Sequence, residues 1–257
     1  MNQTKISWTN VTWNVVHGCS RVSAGCDNCY AERLSLQKGF TKLPWTGENA
    51  EQNVMLKSHK LREPYRLKEP SRVFVNSMSD VFHPRIPDDY ISQMFEVMND
   101  LPQHQFQILT KRPRRAAKWK GPWTPNIWMG TSVENKKTLF RINQLRQCEA
   151  QILFLSIEPL LEQLGKLDLS NINWVIVGGE SGPGYRPMCH SWAREIRDQC
   201  VVNEIPFFFK QSAAYRTELG IELEEADGTK QIWQQFPDTF KLGENDPKPK
   251  ATQLPLF

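Results

Sequence analysis

Short runs of apolar residues recur along the chain, with longer polar stretches between them. Each run is five to seven residues long and almost continuously apolar, which is typical of parallel strands that are covered on both faces. A less regular run lies at Val11–Val16 near the start of the chain. The six clearer runs are Arg72–Ser77, Gln105–Thr110, Asn126–Ser132, Ile152–Ser156, Asn173–Gly178 and Pro206–Lys210.

The spacing of these runs indicates how the strands are connected. The six clearer runs begin 21 to 33 residues apart, which is the length of a strand followed by a helix. Helices are predicted in the gaps, one beginning at Pro87, one at Asn135 and one at Ser191. Six or seven such units in a row favour a complete or partial parallel β/α barrel. An open, doubly wound sheet remains the alternative.

Two stretches depart from this pattern. Residues 37–70 are polar and contain three prolines, so they are predicted to form an irregular insertion after the first strand. After Gln211 the apolar pattern fades, and residues 242–252 are rich in Lys, Pro and Asp. The predicted organisation is therefore a barrel over residues 1–215, followed by a polar extension and tail over residues 216–257.

Composition narrows the class of protein without fixing its function. Hydrophobic residues make up 39% of the chain and charged residues 23%, which is ordinary for a globular protein. The net charge of +4 permits a polyanionic partner but does not require one. No stretch approaches the roughly 20 apolar residues that cross a bilayer, and residues 1–8 lack a signal-peptide core. A cytoplasmic protein with no membrane partner is expected.

Three of the six cysteines fall within eleven residues, as Cys19, Cys26 and Cys29, with the spacing C-x6-C-x2-C. Three thiolates on a short loop can bind three irons of a [4Fe–4S] cluster and leave the fourth iron open for a small molecule. A closed zinc site requires a fourth ligand, which His17 could supply. Both interpretations stay open on spacing alone.

A resemblance extends this interpretation. The cysteine loop, which follows a first strand and leads into a helix, resembles that of the radical S-adenosylmethionine (SAM) superfamily. Residues 7 to about 211 are also similar to a phage-associated family of unknown function that carries a three-cysteine motif. The matching segments are WNVVHGCSRVSAGCDNCYAERL, VFVNSMSDVFHP, LTKRP, SIEPLL, VIVGGESGPGYRPM and FFFKQ.

The resemblance implies a [4Fe–4S] cluster whose open iron binds SAM, an electron donor such as flavodoxin or ferredoxin, and formation of a 5′-deoxyadenosyl radical. The sequence departs from the commonest superfamily motif in two ways. The first gap is six residues rather than three, and Asn28 stands where an aromatic residue usually precedes the last cysteine. Tyr30, which follows that cysteine, is the aromatic candidate for contact with the cofactor.

Polar residues follow most of the predicted strands, and active sites of β/α barrels lie at these carboxyl ends. The resemblance implies that the segment after the second strand holds the SAM ammonium and that the fourth strand meets the ribose. Two glycines after the sixth strand are expected to let a ligand approach the backbone. The predicted cofactor-binding residues are Tyr30, Ser77, Ser79, Asp80, Ser132, Glu134, Gly178 and Gly179. The predicted catalytic residues are Glu158, Glu180, Lys210 and Cys189, the last as a hydrogen-atom donor.

Two features suggest a nucleic-acid partner. No acidic residue lies between Asp100 and Glu134, while basic side chains and tryptophans alternate there, as in surfaces that bind phosphates and stack on bases. The predicted contacts are Lys111, Arg112, Arg114, Arg115 and Trp119. The chain ends in QLPLF, which is similar to the peptide by which bacterial repair proteins bind the sliding clamp, with contacts expected from Gln253, Leu254, Leu256 and Phe257.

Together these patterns predict a radical SAM enzyme that repairs or modifies DNA. Two alternatives remain at this point. One is a radical SAM enzyme that acts on a nucleotide or another small molecule. The other is a DNA-binding module that carries zinc or a cluster and has no catalytic activity.

Overall fold

The structure is a computed structural model and describes residues 1–238. The helices within these residues are α1 (Tyr30–Gln37), α2 (Ala50–Asn53), α3 (Asp88–Asn99), α4 (Pro113–Ala116), α5 (Phe140–Leu145) and α6 (His190–Val202). The strands are β1 (Asn2–Gln3), β2 (Val11–Trp13), β3 (Val16–His17), β4 (Met55–Leu56), β5 (Arg72–Val75), β6 (Gln105–Thr110), β7 (Ile127–Ser132), β8 (Ile152–Ile157), β9 (Trp174–Gly178), β10 (Phe207–Gln211), β11 (Leu223–Glu224) and β12 (Lys230–Gln231).

Seven parallel strands form the main sheet, in the order β2-β5-β6-β7-β8-β9-β10, and β1 adds an antiparallel edge beside β2. Strand order therefore follows chain order, as successive strand–helix units require. The sheet is curled. Because its first and last parallel strands do not pair with each other, the barrel is partial. This confirms the predicted fold class, and all seven predicted strands are present.

The residues of each strand alternate between two apolar clusters. On β5, Val73 and Val75 belong to the larger cluster that includes residues of α3, α5 and α6, whereas Phe74 faces the inside of the barrel. The inner cluster is largely aromatic and is built from Trp8, Phe74, Trp128, Ile152, Phe154, Trp174, Ile176 and Phe208. Because Trp128, Ile152 and Trp174 lie near the start of their strands, the apolar filling occupies the amino-terminal part of the barrel.

The insertion predicted over residues 37–70 is mostly irregular but has a defined path. It contains α2, β4 and two short 3-10 turns, Ser58–Lys60 and Glu63–Arg66. The strand β4 pairs antiparallel with β3, with His17 opposite Met55. The insertion is therefore attached directly to the residues that lead into the cysteine loop.

The described part of the extension after residue 215 packs onto the sheet. Strands β11 and β12 form a hairpin, and Gln234 bridges to Phe208 on the free edge of β10. The Phe236 ring packs on Trp174 and Phe208 of the inner cluster. Residues 216–238 therefore cover the edge of the barrel and do not form an extended polar tail. Within residues 1–238, no helix has the length and apolar character needed to cross a membrane.

Candidate metal centre

A cavity at the carboxyl ends of β2, β5, β6 and β7 is lined by all three clustered cysteines, and we call it the cysteine cavity. Cys19, Cys26 and Cys29 are free thiols that are each partly buried. Other residues of the lining are Ser20, Tyr30, Asn76, Ser77, Ser79, Asp80, Lys111, Arg112 and Ser132. The structure therefore brings the cysteine loop together with Tyr30, Ser77, Ser79, Asp80 and Ser132 of the predicted cofactor-binding set.

The path of the cysteine loop is fixed at both ends. Gly18 has a φ of +87°, and a Cβ there would stand 2.0 Å from the carbonyl oxygen of Asn53, so only glycine fits. Cys29 directly precedes α1.

Burial raises the pKa of the Cys19 thiol to about 12 and also raises the pKa of Cys29. A metal bound here must displace these protons, since the thiolate is the ligand.

Two buried polar atoms in the cavity wall have no hydrogen-bond partner among the described residues. Asn76 lies in the left-handed region at φ 59°, and its Oδ1 accepts the backbone N–H groups of Val15 and Val16. Its Nδ2 donor is unpaired, as is the hydroxyl of Ser79. Buried polar groups are normally hydrogen-bonded, so a bound molecule or an ordered water in the cavity would satisfy these atoms. Three thiols and unpaired polar atoms in one cavity fit a cluster that also binds a polar small molecule.

The alternative of a closed zinc site depends on His17 as the fourth ligand. Within residues 1–238, no three His, Cys, Asp or Glu side chains already lie close enough together to hold a single metal ion, and this holds for the three cysteines as well as for a site with His17. His17 lines a different cavity, beside Lys57 and Lys60. It is therefore not placed as a fourth ligand.

Asp80 lies in the cavity wall, but both of its carboxylate oxygens are already used. Its Oδ1 accepts the Thr110 hydroxyl at 2.6 Å, and its Oδ2 accepts Arg112 Nη1 at 3.0 Å. Burial alone would raise the pKa of Asp80, but Arg112 and the Thr110 hydrogen bond lower it overall. Arg112 also donates to the carbonyl of Ser20 at 2.8 Å and approaches Cys19 Sγ at 3.5 Å. The expected SAM contact from Asp80 is thus replaced by an ion pair that positions the cysteine loop.

Glu134 was predicted to bind the cofactor and is instead buried behind the loop. Its carboxylate is fully buried and accepts Arg141 Nη1 at 3.0 Å and the Ser23 hydroxyl at 2.7 Å. A Cβ on Gly25 would lie 2.3 Å from Glu134 Cγ, so the loop packs directly on this side chain. Glu134 does not line the cysteine cavity, because the loop lies between them.

Glu180, predicted to be catalytic, has the same structural role on the other side of the loop. It forms an ion pair with Arg186, whose backbone N–H and Nε donate to Oε2 at 2.9 and 3.0 Å. Asn28 Nδ2 donates to the same oxygen at 2.9 Å, and Arg186 donates to the carbonyl of Ala24 at 2.9 Å. The pKa of Glu180 is lowered because the hydrogen bonds from Arg186 and Asn28 outweigh its burial. The carboxylate is therefore committed to holding the loop.

Glu158 and Lys210, both predicted to be catalytic, form an ion pair with 2.6 Å between Nζ and Oε1. Neither lines the cysteine cavity. The glycines beside them lie close to other parts of the chain. A Cβ on Gly179 would stand 2.2 Å from the backbone nitrogen of Ala213, and one on Gly178 would lie 3.3 Å from Glu158 Cδ. The chain after β10 therefore occupies the space beside Gly179, while the approach of a ligand to Gly178 stays a prediction.

Cys189 does not line the cysteine cavity, and its expected role as a hydrogen-atom donor stays a prediction. It is exposed and precedes α6. Tyr30, in contrast, lines the cavity, and its hydroxyl donates to the carbonyl of Ser77 at 2.9 Å. Of the residues outside the cysteine motif, Tyr30, Ser77, Ser79 and Ser132 therefore remain as candidates for cofactor contact.

Most of the basic segment is engaged within the protein. Arg115 donates to the backbone of His83 and Ile86 and forms an ion pair with Asp88. Trp119 is half-buried against Phe95. Arg112 is paired to Asp80. Acids from outside the segment therefore compensate its cations, and contact of Arg112, Arg115 and Trp119 with nucleic acid stays a prediction.

The other predicted nucleic-acid contacts also differ in whether they have a partner within the protein. Lys111 lines the cysteine cavity, with its Nζ 3.8 Å from Glu134. Arg114 is exposed, and so is Lys118, which belongs to the same segment but not to the predicted contacts. No ion pair of either residue is found among the described residues. The predicted clamp contacts Gln253, Leu254, Leu256 and Phe257 lie outside the described residues.

Sequence reasoning missed three residues that shape the cysteine cavity and its loop. Asn76, Arg141 and Arg186 were not singled out, although each is essential to the geometry of the loop. Asn76 was counted as part of a strand, yet an Asn between an apolar run and a serine-rich turn is a signal for a left-handed residue. The arginines are separated from the loop by more than 100 residues, and no local pattern links them to it.

Comparisons with known proteins give a family and a distant structural likeness. No curated protein matches the chain at a significant level. Among solved structures, the chain is similar to spore photoproduct lyase complexed with dinucleoside spore photoproduct, with 11% identity and a TM-score of 0.44. A mutant of that lyase with bound AdoMet and dinucleoside spore photoproduct gives 12% identity and a TM-score of 0.43. Both alignments cover 77% of this chain and 62% of the lyase, so the chain spans about three fifths of its length.

A family model described as "Protein of unknown function (DUF5131)" matches residues 3–237. The match includes the cysteine loop, the seven parallel strands and the extension that covers β10. The chain therefore belongs to the DUF5131 family.

Proposed function

We propose that this protein is a radical SAM enzyme that carries a [4Fe–4S] cluster and acts on DNA. The observation that supports it best is the cysteine cavity, in which three free thiols share one space with the unpaired polar atoms of Asn76 and Ser79. Three thiolates satisfy three irons of a cube and leave one iron for another ligand. Unpaired donors and acceptors nearby suit a polar ligand at that iron.

Cys19, Cys26 and Cys29 would hold the cluster, and Asn76, Ser79, Ser132 and Tyr30 would contact SAM. When bound, these groups supply a one-electron cleavage of the sulfonium that yields a 5′-deoxyadenosyl radical. The chain positions them through the pairs that hold the loop, since Asp80–Arg112, Glu134–Arg141 and Glu180–Arg186 fix its backbone. Arg112 adds a donor close to Cys19 Sγ, and such hydrogen bonds to sulfur tune a cluster's potential.

The first test is the metal content of the protein. Protein purified without oxygen and reconstituted with iron and sulfide is expected to bind four irons and four sulfides per chain, with the broad visible absorbance of a cluster. Cys29→Ala is expected to lose it, and Cys148→Ala, which changes a buried cysteine outside the cavity, is expected to retain it. Stoichiometric zinc without cluster absorbance would overturn the proposal and favour a zinc-bearing module.

The second test is chemical. Reconstituted protein with SAM and dithionite is expected to form 5′-deoxyadenosine, and Cys29→Ala is expected to form none. Asn76→Ala and Ser79→Ala are expected to weaken SAM binding without loss of iron, because their unpaired atoms lie in the cavity but are not cluster ligands. If a loaded cluster yields no 5′-deoxyadenosine with or without DNA, the enzymatic part of the proposal fails.

DNA as the substrate is supported by the predicted clamp-binding peptide and by exposed basic residues. Arg114 and Lys118 are the two cations of the basic segment that stay exposed and have no ion pair among the described residues. The double variant Arg114→Gln, Lys118→Gln is expected to weaken DNA binding and to make its salt dependence less steep.

Deleting residues 253–257 is expected to abolish binding to a bacterial sliding clamp while leaving the cluster intact. If both variants behave as the unmodified protein, a nucleotide or another small molecule becomes the favoured substrate.

A further inference from the structure

A second cavity lies on the other side of the residues that lead into the cysteine loop, and we call it the lysine cavity. It has a volume of about 560 Å³ and is formed mainly by the insertion after the first strand. Its lining includes Lys42, Lys57, Lys60, His17 and His59, and it contains no acidic residue. Such a lining has a positive potential that favours an anion.

Three lysines of this cavity have no acidic partner among the described residues. Among residues 1–238, no ion pair of Lys42, Lys57 or Lys60 is found. Lys57 and Lys60 line the cavity and are only partly exposed. Their charges add to the positive potential of the cavity, which attracts an anion.

An unpaired polar atom also lies in the wall of the cavity. His17 is 9% exposed, and its Nδ1 is buried without a hydrogen-bond partner. The ring is held by the pairing of β3 with β4 and by packing against Phe40, with 5.1 Å between the ring centroids. A buried ring nitrogen without a partner indicates a ligand or an ordered water at this position. It is independent of the lysines as evidence for a binding site.

The features at the rim indicate what carries the anion. Phe40 is 43% exposed, which is unusual for a phenylalanine, and it stands at the rim beside exposed Lys42 and His59. An exposed aromatic ring next to lysines is the arrangement by which single strands are bound, with bases stacked and phosphates neutralised. We propose that the lysine cavity binds a phosphate group of a nucleic-acid strand, with a neighbouring base stacked on Phe40.

This inference deepens the proposed action on DNA, but it does not depend on the radical chemistry. The cavity is attached to the cysteine loop, because Gly18 packs against Asn53 and His17 pairs with Met55. A strand held there by one phosphate would be anchored next to the cysteine cavity. The lysine cavity would thus place the substrate, while the chemistry would take place elsewhere.

The test uses the full chain and measures binding without SAM or reductant. A fluorescein-labelled single-stranded oligonucleotide is titrated with protein at several salt concentrations and followed by anisotropy. The double variant Lys57→Gln, Lys60→Gln removes two charges, so the slope of log affinity against log salt is expected to become less steep by about 1.4. The matched control is Lys137→Gln, Lys166→Gln, which removes the same charge at exposed positions outside the cavity.

Two further arms separate the sources of the phosphate. Inorganic pyrophosphate is expected to compete with the oligonucleotide on the unmodified protein and not on the Lys57, Lys60 variant. Phe40→Ala, which changes an exposed residue, is expected to weaken oligonucleotide binding by at least about fivefold and to weaken pyrophosphate binding much less. A mononucleotide that binds as tightly as the oligonucleotide would overturn the assignment to a strand.

The proposal is overturned outright if the cavity variant and the control bind the oligonucleotide with the same affinity and salt slope. Because no step of this test needs SAM cleavage, its failure would leave the 5′-deoxyadenosine experiment unaffected. Conversely, a protein that forms no 5′-deoxyadenosine can still show phosphate binding here. The two outcomes are therefore distinguishable.

Discussion

The cysteine cavity and the lysine cavity flank the same short segment, but they differ in whether their charged side chains are paired. At the cysteine cavity, Asp80, Glu134 and Glu180 are each paired with an arginine. Glu134 and Glu180 accept hydrogen bonds from the loop, and Asp80 is connected to it through Arg112. At the lysine cavity, no acid lines the wall and a buried ring nitrogen is left unpaired. Paired buried charge fixes a backbone, whereas unpaired charge is available for a ligand. The comparison separates groups that stabilise a site from groups that are available to bind a substrate.

The largest effect is expected from breaking a pair behind the cysteine loop. Arg141→Met removes the closer cation of the buried Glu134 carboxylate and leaves only Lys111, at 3.8 Å, which should cost about 3–5 kcal/mol in the free energy of unfolding. The control is Arg85→Met, since Arg85 and Glu51 form an exposed pair that is worth at most about 1 kcal/mol. Chemical denaturation monitored by tryptophan fluorescence measures both.

A double variant shows whether the effect comes from unpaired charge. Glu134→Gln combined with Arg141→Met removes both charges and is expected to recover a large part of the stability lost by Arg141→Met alone. If Arg141→Met costs no more than Arg85→Met, the pair does not hold the loop and the comparison between the cavities fails.

A smaller loss is expected from disturbing the contact between the loop and Glu134. In Gly25→Ala the new Cβ would stand 2.3 Å from Glu134 Cγ, and Arg141 and Ser23 prevent that side chain from moving away. Overpacking of this kind should cost about 1–3 kcal/mol and lower iron retention. Gly47→Ala is the matched control, because a Cβ there meets nothing within 4 Å. Equal melting temperatures for the two variants would argue against the contact.

A pH experiment probes the charge around the cysteine cavity. Burial and the nearby Arg112 lower the pKa of His83 from 6.5 to about 4, while Asp80 opposes this. Since the backbone N–H of Arg85 donates to His83 Nδ1, the proton of the neutral ring is on Nε2, which donates to the Ser20 hydroxyl. The unfolded chain binds more protons between pH 6.5 and 4, so stability must fall as pH falls through that window.

Replacing this histidine should make that pH dependence shallower. His83→Gln is expected to reduce the slope of the unfolding free energy by at most about 1.4 kcal/mol per pH unit around pH 5. The exposed His59 provides the control variant His59→Gln, which should leave the slope unchanged. An identical slope in His83→Gln and the unmodified protein would mean that His83 is not held neutral.

The sequence predicted the fold well because the fold depends on local periodicity. All seven strands follow from apolar runs, and β6 (Gln105–Thr110) has the predicted bounds. The three cysteines and Tyr30 were also found, since their spacing lies within one short segment. The roles of Glu134 and Glu180 could not be found, because their partners Arg141 and Arg186 become neighbours of the cysteine loop only through the barrel.

The basic segment shows the same limit. Its lack of acids within residues 101–133 suggested free cations, but Asp80 and Asp88 reach Arg112 and Arg115 from preceding elements. The lysine cavity was missed for the converse reason. Its cations are spread over the insertion without a local pattern in the sequence. Only the fold shows that no acid of residues 1–238 lines the cavity around them.

The smallest effect on stability is expected at the lysine cavity, and it gives the sharpest contrast with Arg141. Because Lys57 and Lys60 have no ion pair among the described residues, Lys57→Gln, Lys60→Gln should change the free energy of unfolding by no more than about 0.5 kcal/mol. Relief of like-charge repulsion would make the sign stabilising, and added pyrophosphate should raise the melting temperature of the unmodified protein only. Calorimetry with and without pyrophosphate measures both quantities. A loss above about 1 kcal/mol would show that these lysines support the fold as the arginines do, and the distinction between the two cavities would then disappear.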